Sequence, residues 1–153
     1  MRGPIAGEPL EIGGFVYDGE GQPVPDALIE LWQANAAGRY ASAADDRAAI
    51  PLDPDFTGFG RASTGADGGY RFRTIRPVPY PGRTPHIHVK LRHPSFGEVT
   101  SQLFVVGEPG NAGDFLYRSL AEGDRQEVEM RLQRAPAGEA VIWIAERDLL
   151  VGA

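Results

Sequence analysis

Gly58-Phe59-Gly60-Arg61-Ala62-Ser63-Thr64-Gly65-Ala66-Asp67-Gly68-Gly69-Tyr70-Arg71-Phe72-Arg73-Thr74-Ile75 reads as two short runs of strand-forming residues around a dense turn signal. Tyr70, Phe72 and Thr74 alternate with Arg71, Arg73 and Ile75, the period of two expected where successive side chains point to opposite faces. The spacing predicts a hairpin over 58–75. The same grammar recurs outward in both directions. Leu10 to Tyr17 and Ala27 to Trp32 flank Asp18-Gly19-Glu20-Gly21-Gln22-Pro23, while His86 to Leu91 and Val99 to Val106 flank His93-Pro94-Ser95-Phe96-Gly97. Further on, Val128, Met130 and Leu132 alternate with charged residues, and Val141 to Ala145 is a compact apolar run. One short helix is predicted over Asn111 to Glu122, with Asn111 as its cap and Phe115, Leu116 and Leu120 facing a core. Trp32 and Phe59 are assigned to core packing. Strands at this spacing predict an all-β fold, a two-sheet β-sandwich with one short helix near the C-terminal third. No repeat, low-complexity tract or linker divides the chain, so residues 1–153 are expected to form a single domain.

Composition narrows what such a sandwich can do. The 153 residues contain no cysteine, which removes disulfides, thiolate metal sites, iron–sulfur clusters and cysteine nucleophiles together. Any metal must be held by nitrogen and oxygen. The formal net charge of -6 opposes attraction to phosphate backbones and anionic membranes, so no nucleic acid is expected as a partner. The longest apolar runs fall far short of the roughly 20 residues that cross a bilayer, and Met1 to Gly14 has no signal-peptide core. A soluble, cytoplasmic protein without membrane contact is expected. Gly 20 and Pro 13 lie above average use yet below the level of disordered chains, which fits many short elements joined by tight turns.

The chemistry is concentrated in Arg83-Thr84-Pro85-His86-Ile87-His88. On a strand, residues two apart share a face, so His86 and His88 aim both imidazoles at one region while Ile87 packs the other way. Imidazole is the commonest metal ligand; from spacing alone, a hydrogen-bonded histidine pair on a polar sheet face fits equally well. His93 lies in a proline-containing bend and reads as solvated surface. Tyr40 ends Asn35-Ala36-Ala37-Gly38-Arg39-Tyr40, and Tyr80 lies within Pro77-Val78-Pro79-Tyr80-Pro81. Flanking prolines restrict the backbone and suit a side chain held in one direction. Ordinary amphipathic packing of either tyrosine fits the spacing as well.

Val24-Pro25-Asp26-Ala27-Leu28-Ile29-Glu30-Leu31-Trp32-Gln33-Ala34-Asn35-Ala36-Ala37-Gly38-Arg39-Tyr40, then Pro79-Tyr80-Pro81, Arg83, Pro85-His86-Ile87-His88 and Thr100-Ser101-Gln102-Leu103-Phe104, together resemble the intradiol ring-cleavage dioxygenases, nearest the protocatechuate 3,4-dioxygenase type. The resemblance runs from about Glu8 to about Leu132, with separated motifs in the family's order. It implies a non-haem Fe(III) held by Tyr40, Tyr80, His86 and His88, with Arg83 and Gln102 as further active-site residues. The implied substrates are a catechol, with protocatechuate the first expectation, and O2; the implied product is a muconate-type dicarboxylate. Tyr80 is the tyrosinate expected to leave the iron as a catechol binds and to take up a proton. The donor set is chemically coherent, because a trivalent ion stabilises phenolates whose ordinary pKa is near ~10, and hard anionic oxygen favours the oxidised metal. Arg83 is expected to stabilise developing negative charge and Gln102 to orient the intermediate.

Several features depart from the family pattern. Five residues separate Tyr80 from His86, a shorter connection than in the iron-bearing protocatechuate chains. Those enzymes pair an iron-bearing chain with a related chain lacking the ligands. Here all four ligand types lie on one chain, so a homo-oligomer is expected, with a related second subunit as the alternative. The catechol 1,2-dioxygenases carry an N-terminal helical dimerisation segment, and the few residues before Glu8 point away from that subgroup. Two other readings compete. Phe15 to Ala27 and Asp67 to Phe72 also resemble transthyretin-like and carboxypeptidase-regulatory-like sandwiches, which are binding modules without catalysis; such a module gives no reason for Tyr40, Tyr80, His86 and His88 to occur together. The other is a copper or zinc site built on the histidines alone.

Overall fold

The computed structural model describes residues 7–38, 58–80 and 82–151; Tyr40 lies outside the described residues. Among the described residues, ten strands are assigned in chain order: β1 Pro9–Tyr17, β2 Leu28–Trp32, β3 Phe59–Ser63, β4 Gly69–Ile75, β5 His86–His93, β6 Gly97–Val105, β7 Glu129–Met130, β8 Leu132–Arg134, β9 Trp143–Glu146 and β10 Leu149–Leu150. A 3-10 turn at Pro109–Gly113 and two short helices, α1 Phe115–Ser119 and α2 Glu122–Val128, lie between β6 and β7. One five-stranded sheet is built on β1, which pairs with β4 along one edge and with β9 and then β10 along the other, while β8 pairs with β9. The second runs β3-β2-β5-β6-β7. The all-β sandwich expected from the sequence is therefore the observed architecture.

Alternation along the strands explains why the sheets stack. Leu10, Ile12 and Val16 of β1, Ile29 and Leu31 of β2, Ile87, Val89 and Leu91 of β5 and Leu103 and Val105 of β6 are all buried in one hydrophobic core. Burying such side chains is worth about 1.5–3 kcal/mol each, so a one-residue slip of β5 would bring its basic residues inward and lose several such terms at once. The register is thereby fixed, and with it the outward direction of His86 and His88.

Local pattern misleads at three places. The predicted hairpin over 58–75 does form a turn, with Gly65 N–H donating to Gly69 O at 3.0 Å and Gly68 N–H donating to Gly65 O at 2.9 Å. Its arms nevertheless join different sheets, β3 pairing with β2 and β4 with β1. The reason is packing across the sandwich: a Cβ on Gly60 would stand 3.2 Å from the Phe72 ring, so the bare face of β3 receives the aromatic of β4 from above. The run Val128 to Leu132 also divides, because Val128 ends α2, Met130 sits in one sheet and Leu132 in the other.

The predicted helix over Asn111–Glu122 is broken into the 3-10 turn, α1 and α2, and Asp114 rather than Asn111 caps α1. Asn111 is instead buried, accepting from Thr84 Oγ1 at 2.7 Å and donating through Nδ2 to Val105 O at 2.9 Å. At the other end of α1, Ser119 Oγ donates to Leu116 O at 2.6 Å, a side-chain bond that competes with continuing the helix. Phe115, expected in the core, is 65% exposed. Phe59 is likewise half exposed and Trp32 half buried, so neither is a core residue.

Candidate metal and active site

β5 is the inner partner of both β2 and β6, in a register that sets Trp32 and Gln102 on either side of His88 and Phe104 beside His86. Cross-strand neighbours on one face stand roughly 4.5–5.5 Å apart, which brings these side chains into one row above the second sheet. Trp32 stacks on His88 with ring centroids 4.9 Å apart and an interplanar angle of 2°. The two imidazoles meet edge to face at 4.8 Å, with their Nε2 atoms 3.3 Å apart.

A tight turn brings in the phenol. Arg83 N–H donates to Tyr80 O at 2.8 Å and Tyr80 N–H donates to Arg83 O at 3.3 Å. Gly82 adopts φ 84, a left-handed conformation that glycine enters without steric cost. The turn leaves the Tyr80 hydroxyl 3.3 Å from His86 Nε2. Three of the four side chains named from the sequence thus converge. Arg83 and Gln102 join them, since Arg83 Nη2 donates to Gln102 Oε1. His93 stays at the far end of β5, bonded through Nδ1 to Ser95 Oγ at 2.7 Å, as expected of a surface residue.

His86 Nδ1 lies 2.8 Å from the Thr84 carbonyl oxygen. A carbonyl only accepts, so the proton sits on Nδ1 and the Nε2 lone pair faces Tyr80 and His88. Burial pushes the His86 imidazole below its usual range, with the Arg83 charge acting in the same direction and the Thr84 bond and Asp114 charge opposing. His88 is pushed down to about 4 by burial, then by His86 and Arg83. Both rings are neutral at pH 7, the form that ligates metals. Two nitrogens bound at roughly 2.1 Å to one ion stand about 3.0–3.4 Å apart for angles of 90–110°, and the observed 3.3 Å falls in that span. Among the described residues no three His, Asp or Glu side chains are placed to hold a metal. A metal here would draw on phenol oxygen as well as imidazole nitrogen, a donor set suited to a hard oxidised ion.

Beside His88 and Gln102 opens a cavity of about 250 Å³, with Phe104, Leu116, Leu120 and Val128 as its apolar wall. That is near the lower end of the ~300–1,000 Å³ typical of small-molecule sites and matches a ligand of one ring. Sequence reasoning missed the supporting shell: Trp32 against His88, Thr84 under His86, and Asp114, which bonds Arg83 Nε and Thr84 N–H. An Asp just before Phe115-Leu116-Tyr117 is a legible helix-start signal; its reach to Arg83, 31 residues away, is not.

Fold and site together define a β-sandwich protein that gathers two imidazoles and a phenol on the outer face of one sheet. Comparison with known proteins agrees. Residues 1–143 match the model of a family described as dioxygenase. The chain is 42% identical over 138 residues to the protocatechuate 3,4-dioxygenase beta chain of Burkholderia cepacia, an alignment covering 85% of this chain and 58% of that one. It is 33% identical over 157 aligned positions to a hydroxyquinol 1,2-dioxygenase of Nocardioides simplex, covering 90% and 49%. Its fold superposes with a TM-score of 0.76 on the dioxygenase domain of a dioxygenase carbohydrate-binding protein fusion from Streptomyces sp. SirexAA-E, at 31% identity over 100% of this chain and 85% of that one. This chain belongs to the intradiol ring-cleavage dioxygenase family. It spans about half the length of the curated relatives it matches.

Proposed function

We propose that this protein binds a non-haem Fe(III) through Tyr40, Tyr80, His86 and His88 and cleaves a catechol between its two hydroxyl-bearing carbons with O2, yielding a muconate-type dicarboxylate. The observation that carries the reading is the convergence of Tyr80, His86 and His88 on one point in a chain of this family. Tyr40 enters through the family resemblance; Gly38, two residues before it, lies against Tyr80, where a Cβ would stand 3.1 Å from Tyr80 Cβ. A ferric ion, when bound, supplies the Lewis acidity that holds a catechol as its dianion and opens its ring to O2.

The protein's own groups do the rest. Thr84 fixes the His86 tautomer, and the Trp32 ring holds His88 in one plane and shields it from water. As a catechol enters, the Tyr80 phenolate oxygen takes up one of its protons, a role consistent with its place on the turn that leads through Arg83 into the ligand strand. Arg83 donates to negative charge developing on the substrate oxygens from a guanidinium already fixed by its neighbours. Gln102, on the adjacent strand, orients the ring.

Protocatechuate is the first candidate because of the relative from Burkholderia cepacia; the resemblance to a hydroxyquinol enzyme keeps a second diol in contention. The Burkholderia relative is named a beta chain, so assembly with further copies or with a related second subunit belongs to the proposal. The test is oxygen uptake by iron-loaded protein against catechol, protocatechuate and hydroxyquinol, with product identification and a visible spectrum. A red protein with tyrosinate-to-iron charge transfer and a muconate-type product is expected. A protein that stays colourless after Fe(III) loading and consumes no oxygen with any diol would overturn the proposal.

A further inference from the structure

We infer that Asp114 is a positioning residue for Arg83, fixing the direction in which its guanidinium meets substrate; this rests on the reading of the site given above. The Asp114 side chain is fully buried and spends both oxygens. Oδ1 accepts from Leu116 N–H at 3.0 Å and Tyr117 N–H at 3.1 Å, capping α1. Oδ2 accepts from Arg83 Nε at 2.8 Å and Thr84 N–H at 2.9 Å. Four donors on one carboxylate leave it no freedom to rotate. It therefore transmits the position of α1 to Arg83 and to the residue whose carbonyl holds His86.

Arg83 is restrained from three directions. Asp114 holds Nε, Gln102 holds Nη2, and the neighbouring Phe115 lies under the guanidinium, with its ring centroid 5.4 Å from Cζ. Two of these three restraints come from adjacent residues at the start of α1. Among the described residues, Nε and Nη2 are the guanidinium nitrogens with hydrogen-bond partners. A planar fork held at Nε and Nη2 can turn only by giving up both bonds, which is how a flexible side chain is made a fixed electrostatic element.

A plain helix cap would need only Oδ1, and the substitution Asp114→Asn separates the two roles. A carboxamide has one acceptor oxygen, so its NH2 must face either the α1 amides or the Arg83 and Thr84 donors. The test compares wild type, D114N, R83A and the double variant, each iron-loaded, reading iron content, visible spectrum, anaerobic catechol affinity, kcat and KM. D114N is expected to lower kcat at least ten-fold while iron content and catechol affinity stay within two-fold, and to cost less than two-fold in the R83A background. An unchanged kcat, or the same loss in both backgrounds, overturns the positioning role. Should D114N fail to fold, Arg83→Lys decides: it keeps the charge but has no Nε donor, so a loss as large as that of R83A is expected and full activity overturns the inference. Should wild type consume no oxygen with any catechol, the reading of the site falls instead. A crystal structure of D114N then settles Asp114 alone: an Arg83 displaced from Gln102 supports the role and an unmoved one refutes it.

Discussion

β5 presents the same residue types at both ends and uses them differently. At its start, His86 and His88 face Tyr80, with Arg83 paired to Asp114 at 2.8 Å. At its end, His93 bonds Ser95, and Arg92 pairs with Glu98, also at 2.8 Å. The ion pairs are equal in length, yet the side chains of the first are 12% and 0% exposed and those of the second 57% and 46%. Distance alone therefore says little. Water screens the distal pair and leaves its members free to part, whereas the proximal pair sits where an unpartnered charge is expensive.

The largest contrast should appear on removing an imidazole at each end. His88→Ala is expected to abolish iron binding and diol-dependent oxygen uptake while the far-UV circular dichroism stays that of the sandwich, since the core lies on the opposite face of β5; His93→Ala should change neither. Full activity in the His88 variant would end the ligand assignment. Next comes the buried pair. Asp114→Ala strands Arg83 and uncaps α1, and should cost about 3–5 kcal/mol in urea unfolding. This stabilisation should depend on pH. Burial alone would raise the Asp114 carboxyl, but the hydrogen bonds from Arg83, Thr84 and Tyr117 outweigh it and hold the group below its usual 3.8. A depressed native pKa contributes stability above the unfolded value that is lost as pH falls through the native one. The melting temperatures of wild type and Asp114→Asn should accordingly converge below about pH 3.8, and parallel curves would refute the account.

A smaller effect is expected at Trp32. Its Ala variant frees the His88 ring and should weaken iron binding roughly ten-fold, the lower end for groups that orient a metal ligand, as measured by chelator competition. The smallest belongs to the distal pair: Glu98→Gln should leave oxygen uptake and melting temperature unchanged within error. A clear loss there would mean that exposure does not separate the two ends as described.

What was legible in the sequence was whatever depends on period two. The alternation of β5 foretold Ile87 on one face and His86 and His88 on the other, and the short strands between turn signals foretold a sandwich. Pairing was not legible, because alternation sets the face of a strand and not its neighbour. Hence β3 and β4 read as a hairpin although Phe72 covers Gly60 from the facing sheet. The stack of Trp32 on His88 was hidden for the same reason, since it exists only in the register of β2 against β5. The helix cap failed differently: Asn111 and Asp114 are both good caps in isolation, and the choice between them was made by Thr84 and Arg83, distant in sequence.

The bend His93 to Gly97 closes β5 onto β6 at the end remote from the histidine pair. At roughly 3.3 Å per residue, the rise from His88 to His93 is about 17 Å. Phe96 N–H donates to His93 O at 3.2 Å, and Pro94, Ser95 and Gly97 are exposed. Anyone wishing to tether this chain to a surface, append a fluorophore or splice in a peptide would choose that tip, where the added mass hangs in solvent and the chemistry at the opposite end is left alone.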